Sequence, residues 1–172
     1  LDMSTMKRGN VAHIFFDDVR IPRENLLGDA GQGMTIVGAD LAMGRFSVAS
    51  RCVGQAQSCL DAVVKYAPHR QIFGQKESEF QMVKQIVADM AVSIDTARLL
   101  VYRLGRLMDA NAGRVTSIAS ATKLYASEVA TKAALDAIQL HGGYGFVEDY
   151  SVGRYLLEAK VLEVGEGNNQ LH

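Results

Sequence analysis

Proline is scarce in this chain, which contains only Pro22 and Pro68 among its 172 residues. Because proline ends or kinks helices, its scarcity leaves long stretches that can form uninterrupted helices. Hydrophobic residues make up 48% of the chain, with many Ala, Leu, Met and Gln, and these residue types favour helices. The length suits one domain with a substantial core. The composition therefore predicts a mainly helical protein.

Cysteine and net charge are also low, and long apolar runs are missing. Cys52 and Cys59 lie seven positions apart in a predicted helix, about 10 Å along its axis, which is too far for a disulfide. We expect both to be reduced core residues. The formal net charge of -1 argues against a nucleic-acid surface, which needs a basic excess. No run approaches the roughly 20 apolar residues of a membrane span, and no secretory leader is recognisable.

The first thirty residues differ from the rest of the chain. Residues 11–21 are rich in β-branched and aromatic side chains with partial alternation, which predicts a strand that ends at Pro22. A single strand is not stable alone. We therefore interpret residues 1–30 as the end of a larger β domain and its linker.

Four later stretches show the apolar spacing of three to four residues that is typical of helices. They are residues 34–67, 80–108, 116–140 and 152–164. The third predicted helix directs the following residues inward: Ile118, Ala121, Leu124, Val129, Leu135 and Ile138. Short connections between the helices predict an up-and-down four-helix bundle over residues 31–172. The expected fold is thus mainly α, with a short β segment, the remnant of a sheet domain, in front of the bundle.

Glu166 is flanked by Gly165 and Gly167 at the end of the fourth predicted helix. Glycine there permits left-handed backbone and lets another group approach closely. A carboxylate on such a turn is well placed to contact a substrate. Taken by itself, the same turn is better explained as a solvated acid in a loop that ends a helix.

Two other helix ends carry unusual residues. Arg70 and Gly74 bracket Phe73 after the stop at Pro68, and Gln139 precedes the glycine cluster of residues 142–145. Singly these are caps and turns. Together they suggest donors gathered at bundle ends, suited to a large ligand that contains phosphate.

Metal and hydrolase motifs are missing from the sequence. None of the four histidines, at positions 13, 69, 141 and 172, has Glu three residues before it, as a di-iron bundle requires. No CxxC, HExxH or GxSxG motif occurs. We expect no metal site.

The chain resembles the acyl-CoA dehydrogenases in a series of motifs that follow the order and spacing of that family. They are residues 16–28, Gly44-Arg45, residues 66–74 (YAPHRQIFG), Gln81, residues 88–91, residues 139–145 (QLHGGYG) and Glu166-Gly167. The resemblance implies a flavoenzyme with an N-terminal helical domain, a middle β domain and a C-terminal bundle. Residues 1–30 then correspond to the end of the β domain, and residues 31–172 to the bundle without its final helix.

The resemblance also implies an activity. Glu166 matches the catalytic base of the family, which removes the α-proton of an acyl thioester while the β-hydride passes to FAD, leaving a 2-enoyl-CoA. Arg45 and Gly167 match positions on the substrate side. The implied electron acceptor is an electron-transfer flavoprotein, and the implied location is the bacterial cytoplasm or the mitochondrial matrix.

The cofactor positions of the family match eight residues of this chain. They are Arg70, Phe73, Gln81, Gln139, Gly142, Gly143, Asn168 and Gln170. In the family, the first six serve the FAD of a neighbouring subunit, whereas Asn168 and Gln170 flank the flavin. The resemblance therefore implies a homo-oligomer, either a dimer or a tetramer built as a dimer of dimers.

Three departures from the family pattern bear on the substrate. Asn168 stands where Thr is usual, Gly165 where many members carry Tyr, and Ala42 where an acid often occurs. The alternatives that stay open are an acyl-CoA oxidase or a decarboxylating relative. As an isolated chain, a helical oligomerisation module without catalysis is a further alternative.

Overall fold

The computed structural model describes residues 12–172, which form four long helices joined by short connections. The helices are α1 (Gly33–Tyr66), α2 (Gln81–Asp109), α3 (Thr116–His141) and α4 (Val152–Val164). Single 3-10 turns occupy Arg23–Asn25, Glu77–Glu79, Gly142–Phe146 and Asn169–Leu171. The helix bounds agree closely with the apolar spacing, so the predicted mainly helical bundle is confirmed. Within residues 12–172, no helix is long and apolar enough to cross a membrane.

The strand predicted over residues 11–21 is wrong for its described part. Residues 12–22 are exposed and have no regular secondary structure, and residue 11 lies outside the described range. A strand needs a neighbour to accept its backbone hydrogen bonds, and no segment of residues 12–172 pairs with this one. The β-branched composition indicates that the segment suits a sheet, but residues 12–172 do not supply the neighbouring strands.

Within residues 12–172, two short strands form in the connection between α1 and α2, where the sequence suggested only caps and turns. β1 (Gln71–Ile72) and β2 (Gln75–Lys76) pair antiparallel, with Gln71 opposite Lys76. Phe73 and Gly74 connect them with φ values of 50° and 82°. Positive φ at both central positions defines a type I′ hairpin turn. The hairpin holds the Phe73 side chain away from the bundle.

Small residues line the contact between α1 and α3, the most extensive helix pair in the bundle. The fully buried alanines are Ala49 and Ala56 on α1, and Ala119, Ala130, Ala134 and Ala137 on α3. Of the residues predicted to point inward from α3, Val129 is buried, whereas Ala121 is exposed and Leu135 is 48% exposed. Ile118, Leu124 and Ile138 are half-buried, so the prediction is right for part of the face. The contact itself is made by alanines, because they permit the closer approach of two backbones.

Both cysteines belong to the core. Cys52 and Cys59 are buried free thiols on α1, as the sequence predicted. Burial raises the pKa of each thiol to about 12. Because the thiolate is the reactive form, these cysteines act as small core residues and not as nucleophiles.

Candidate active site

Glu166 lies on a left-handed turn at the end of α4. Gly165 closes the helix, and its N–H donates to the Val161 carbonyl oxygen at 2.9 Å. Glu166 and Gly167 follow with φ values of 57° and 93°. A left-handed conformation costs a residue other than glycine about 1–2 kcal/mol. Such a conformation persists only where the surroundings hold it.

The fully buried ammonium of Lys123 on α3 lies inside this turn. Its Nζ donates to the carbonyl oxygens of Glu163 and Gly167 at 2.7 Å each. A third bond, of 2.9 Å, goes to Asn169 Oδ1. The side chain of His172 also donates to the Gly167 oxygen, from Nε2 at 3.1 Å. All three donors of the ammonium are thus satisfied, as a buried charge requires.

Burial also affects the protonation of these two basic groups. It lowers the pKa of Lys123, while the negative charge of Glu163 acts in the opposite direction. It lowers the pKa of His172 as well, and the positive charges of Arg45 and Lys123 add to that effect. His172 is therefore a neutral ring that donates one hydrogen bond at neutral pH.

The carboxylate of Glu166 packs against the backbone of α1 at Gly44. A Cβ added at Gly44 would lie 2.6 Å from Glu166 Cδ and 3.0 Å from Oε1. Only glycine leaves this space. The next residue, Arg45, donates from Nε to the Glu166 carbonyl oxygen at 3.5 Å and from Nη1 to Ser120 Oγ at 3.1 Å. Arg45 and Glu166, two of the predicted site residues, are thus brought together.

Two acids near the end of α4 differ in their partners. Glu163 accepts hydrogen bonds from Thr131 Oγ1 and Lys160 Nζ. Burial acts to raise the pKa of Glu163, but these two bonds and the Lys160 charge outweigh it, so its pKa is lowered. Within residues 12–172, no cationic side chain forms an ion pair with Glu166. Glu163 is a fixed structural anion, whereas the Glu166 carboxylate has no such cationic partner in this part of the chain.

A second group of predicted residues lies around the hairpin that follows α1. Arg70 extends over the Tyr144 ring, with 5.6 Å from Cζ to the ring centroid, and so joins the hairpin to the glycine cluster. Below them, the Tyr66 and His141 rings stack with centroids 4.2 Å apart. Phe73 is 95% exposed in spite of its left-handed φ. An exposed aromatic in a strained position is typical of a contact residue.

The remaining predicted residues of this group are all exposed near the same helix ends. Gln81 is the first residue of α2, directly after the hairpin and its 3-10 turn. Gln139 lies in the last turn of α3, and Gly142 leaves that helix with a φ of 56°. Gly143 follows in the 3-10 turn. These residues present backbone and side-chain donors to one end of the bundle.

The two groups lie far apart along α1. Gly44 contacts the Glu166 turn, whereas Tyr66, 22 residues later, is the last residue of α1. At 1.5 Å per residue this is about 33 Å. Asn168 and Gln170 are the exceptions among the predicted cofactor residues, because they follow Glu166 directly and are exposed. One chain therefore does not bring Arg70 and Glu166 to one pocket.

A cleft of about 860 Å³ opens between the first half of α1 and the connection from α2 to α3. Arg45 and Arg114 line it, as does Ala42, where the family often has an acid. The cleft has apolar walls with two guanidinium groups, which suits an elongated ligand that carries anionic groups.

Sequence reasoning missed several residues that hold the site. They are Ser120, Lys123, Ser127, Tyr144 and Asn169. A signal for Lys123 was present, because it stands four residues after Ala119 and three before Ala126, on the inward face of α3. A lysine on a stripe of alanines indicates a buried charge with dedicated acceptors.

Comparison with known proteins agrees with this architecture. Residues 31–172 match the family model described as acyl-CoA dehydrogenase, C-terminal domain. The chain belongs to the acyl-CoA dehydrogenase family. It is 44% identical over 170 residues to the probable acyl-CoA dehydrogenase YngJ of Bacillus subtilis, which covers 99% of this chain and 44% of YngJ.

Two further relatives extend the comparison. The caffeyl-CoA reductase-Etf complex subunit CarC of Acetobacterium woodii is 40% identical over 158 residues, covering 92% of this chain and 41% of CarC. The structure of butyryl-CoA dehydrogenase from Megasphaera elsdenii matches with a TM-score of 0.87 at 36% identity, covering 91% of this chain and 40% of that one. The chain thus spans about two fifths of the length of these relatives.

Proposed function

We propose that the complete protein is an FAD-dependent acyl-CoA dehydrogenase in which Glu166 is the catalytic base. The observation that carries this proposal is the carboxylate of Glu166, which lacks an ionic partner within residues 12–172 and is held on a left-handed turn over Gly44. The nearby Glu163 is already engaged by Thr131 and Lys160. Of the two acids, only Glu166 is available to take a proton.

The chemistry of the residue fits α-proton removal. A C–H next to a thioester carbonyl is a weak acid, so the base must be close to it and correctly aimed. Gly165 and Gly167 have no side chains that would block the approach to Glu166. The proton moves to a Glu166 carboxylate oxygen, and FAD, when bound, accepts the hydride from the β-carbon.

The substrate side of the proposal rests on the cleft beside Arg45. Its volume of about 860 Å³ lies within the range of about 300 to 1,000 Å³ that is typical of ligand pockets. Arg45 contacts both the backbone of Glu166 and Ser120, so the same arginine borders the cleft and the base. We assign Arg45 and Gly167 to substrate binding, with Arg45 and Arg114 toward the phosphates of CoA.

The FAD proposal rests on the exposed end of the bundle. Arg70 has the planar donor set that matches phosphate, and it is held beside Tyr144. Phe73 offers an aromatic face that is almost completely exposed. The amides of Gln81 and Gln139 and the backbone of Gly142 and Gly143 add further donors. These residues fit a dinucleotide, while Asn168 and Gln170 are assigned to the flavin near Glu166.

The separation of about 33 Å along α1 bears on assembly. Residues at both ends of the bundle match FAD-binding positions, yet they do not converge within one chain. An assembly of identical chains, a dimer or a tetramer, lets Arg70 of one copy meet the cofactor beside Glu166 of another. A homo-oligomer is therefore part of the proposal.

The partner and the substrate class are proposed from the relatives and from Gly165. CarC is named as the subunit of a complex with Etf, and we infer an electron-transfer flavoprotein as the acceptor. Caffeyl is a bulky aromatic acyl group. Gly165 presents no side chain beside Glu166 where many family members carry Tyr, which leaves room for an acyl group of that kind. The proposed location is the bacterial cytoplasm or the mitochondrial matrix.

Anaerobic titration of the complete, FAD-loaded protein with a panel of acyl-CoAs tests the function. We expect the yellow flavin absorbance to bleach on addition of the correct acyl-CoA, with bulky acyl groups most effective. Oxygen uptake in air would assign an oxidase, and a product that has lost CO2 would assign a decarboxylating enzyme. No bleaching by any acyl-CoA in the panel would reject the proposal. The isolated chain 1–172 is expected to bind FAD weakly or not at all.

Phe73→Gly is a second test, directed at the cofactor site. Glycine relieves the left-handed strain at Phe73, so the fold should gain up to about 1 kcal/mol, while FAD affinity should fall about tenfold through lost aromatic contact. FAD content after dialysis and the thermal midpoint measure the two effects. Asn111→Gly is the matched control, because Asn111 also has a left-handed φ, of 48°, and should retain FAD. Normal FAD retention by Phe73→Gly would remove Phe73 from the cofactor site.

A further inference from the structure

The buried ammonium of Lys123 ties the Glu166 turn to α3 at several points. Its bonds to the Glu163 and Gly167 oxygens, at 2.7 Å each, bracket Glu166 from both sides along the chain. The acceptor of its third bond, Asn169 Oδ1, also accepts from Ser127 Oγ at 3.1 Å. The backbone before Glu166, the backbone after it and the side chain three residues later are therefore all fastened to one helix.

The direction of the Glu166 side chain follows from this arrangement. Lys123 lies inside the turn, with Glu163 and Gly167 directing their carbonyl oxygens toward it. The Glu166 carboxylate itself is not an acceptor of these bonds and instead reaches Gly44 on α1. Without the hydrogen bonds from Lys123, the backbone at Glu166 would be free to leave its left-handed conformation, since that conformation is intrinsically unfavourable for glutamate.

We propose that Lys123 is a positioning residue, which sets the place of the Glu166 carboxylate for α-proton removal by holding both carbonyl groups around it. The inference rests on the proposed function for the role of Glu166. It does not assign Lys123 any contact with substrate or cofactor.

The chemistry of the position favours a lysine. The last carbonyl groups of a helix lack partners within the helix. A cation at the helix C-terminus also interacts favourably with the partial negative charge of the helix dipole there. Lysine carries three donors on one atom at the end of a flexible stem, which matches the three acceptors present. Methionine has a similar volume but would leave the Glu163 and Gly167 oxygens and Asn169 Oδ1 with fewer donors.

The test compares Lys123→Met with the wild-type complete, FAD-loaded protein. Because a small misplacement of a catalytic group slows a reaction strongly, we expect the rate of flavin reduction per bound FAD at saturating acyl-CoA to fall about tenfold. The concentration of acyl-CoA for half-maximal rate should change less than about twofold. Lys132→Met is the matched control on the same helix, since Lys132 is exposed and pairs with Asp136 at 2.6 Å. It should leave both values unchanged.

Hydrogen exchange of the peptide that covers residues 162–171 provides a readout that does not depend on activity. Lys123→Met should exchange faster in this segment than the wild type, while segments in α2 stay unchanged. Lys123→Gln, which keeps an amide donor, should show intermediate exchange and an intermediate rate. If Lys123→Met loses FAD or fails to fold, Lys123→Gln alone tests the proposal by the same two measurements.

Two results would overturn the proposal, and they are distinct from failure of the proposed function. One is unchanged exchange in residues 162–171 of the lysine variants. The other is faster exchange with an unchanged rate per bound FAD, which would make Lys123 a structural residue only. A wild-type protein that no acyl-CoA bleaches would instead refute the function assigned to Glu166, and the exchange data would still show whether Lys123 holds the turn.

Discussion

Glu166→Gln in the complete, FAD-loaded protein is expected to slow flavin reduction by acyl-CoA by about 10²- to 10⁴-fold, the usual contribution of a general base. The amide has nearly the shape of the carboxylate and accepts hydrogen bonds, but it does not take up the α-proton. Glu166 forms no ion pair within residues 12–172, so its neutralisation leaves no cation without a partner. The variant should therefore keep its fold and its yellow flavin.

Stopped-flow absorbance of the flavin measures this effect, and bound FAD per chain confirms that the cofactor is retained. Glu158→Gln is the matched control, because Glu158 lies on α4 and pairs with the exposed Arg154 at 3.4 Å, away from the turn. It should react at the wild-type rate. Bleaching of Glu166→Gln at the rate of the control would show that another group removes the proton.

Gly44→Ala is expected to lower the same rate about 100-fold while the protein stays folded. The added Cβ would lie 2.6 Å from Glu166 Cδ, closer than van der Waals contact permits. The atoms it meets belong to the end of a flexible side chain, so the carboxylate moves and the helix does not. A displacement of about 1 Å at a catalytic group is worth about 100-fold. Alanine should also stabilise the interior of α1 by about 0.5–1 kcal/mol.

The control for Gly44→Ala is Gly54→Ala in the same helix, where an added Cβ meets nothing within 4 Å. Both variants should show an equal or higher thermal midpoint than the wild type, measured by circular dichroism. Only Gly44→Ala should lose activity. Equal activity in the two variants would show that the reactive position of Glu166 lies away from Gly44.

The helices of this protein were predictable from local sequence patterns because residues that end helices lie at their boundaries. Pro68 follows the end of α1 and the glycine cluster follows α3, while the seam of α2, from Met90 to Leu104, buries the residues that its spacing predicts. Patterns failed where partners decide the outcome. Residues 12–21 form no strand without a neighbouring sheet, and alanines displace Leu135 from the buried face of α3.

The candidate base was also predictable in part. A glutamate between two glycines at a helix end, set in the family series of motifs, indicates Glu166 from the sequence alone. Its left-handed backbone, its lack of an ionic partner within residues 12–172 and the engagement of Glu163 were not predictable. These properties depend on contacts with α1 and α3, which are distant along the chain. Lys123 and Gly167, for example, form a hydrogen bond although they are 44 positions apart.

The sequence by itself determined the four helices and the family, and it singled out Glu166 as the candidate base, because these depend on residue type and on spacing along the chain. The tertiary structure alone decided how that acid is presented. It places the Lys123 ammonium inside the turn and the bare backbone of Gly44 under the carboxylate. It also separates the Arg70 end of the bundle from the Glu166 end. The physical reason is that hydrogen bonds and close contacts depend on distances in space, which no local pattern specifies.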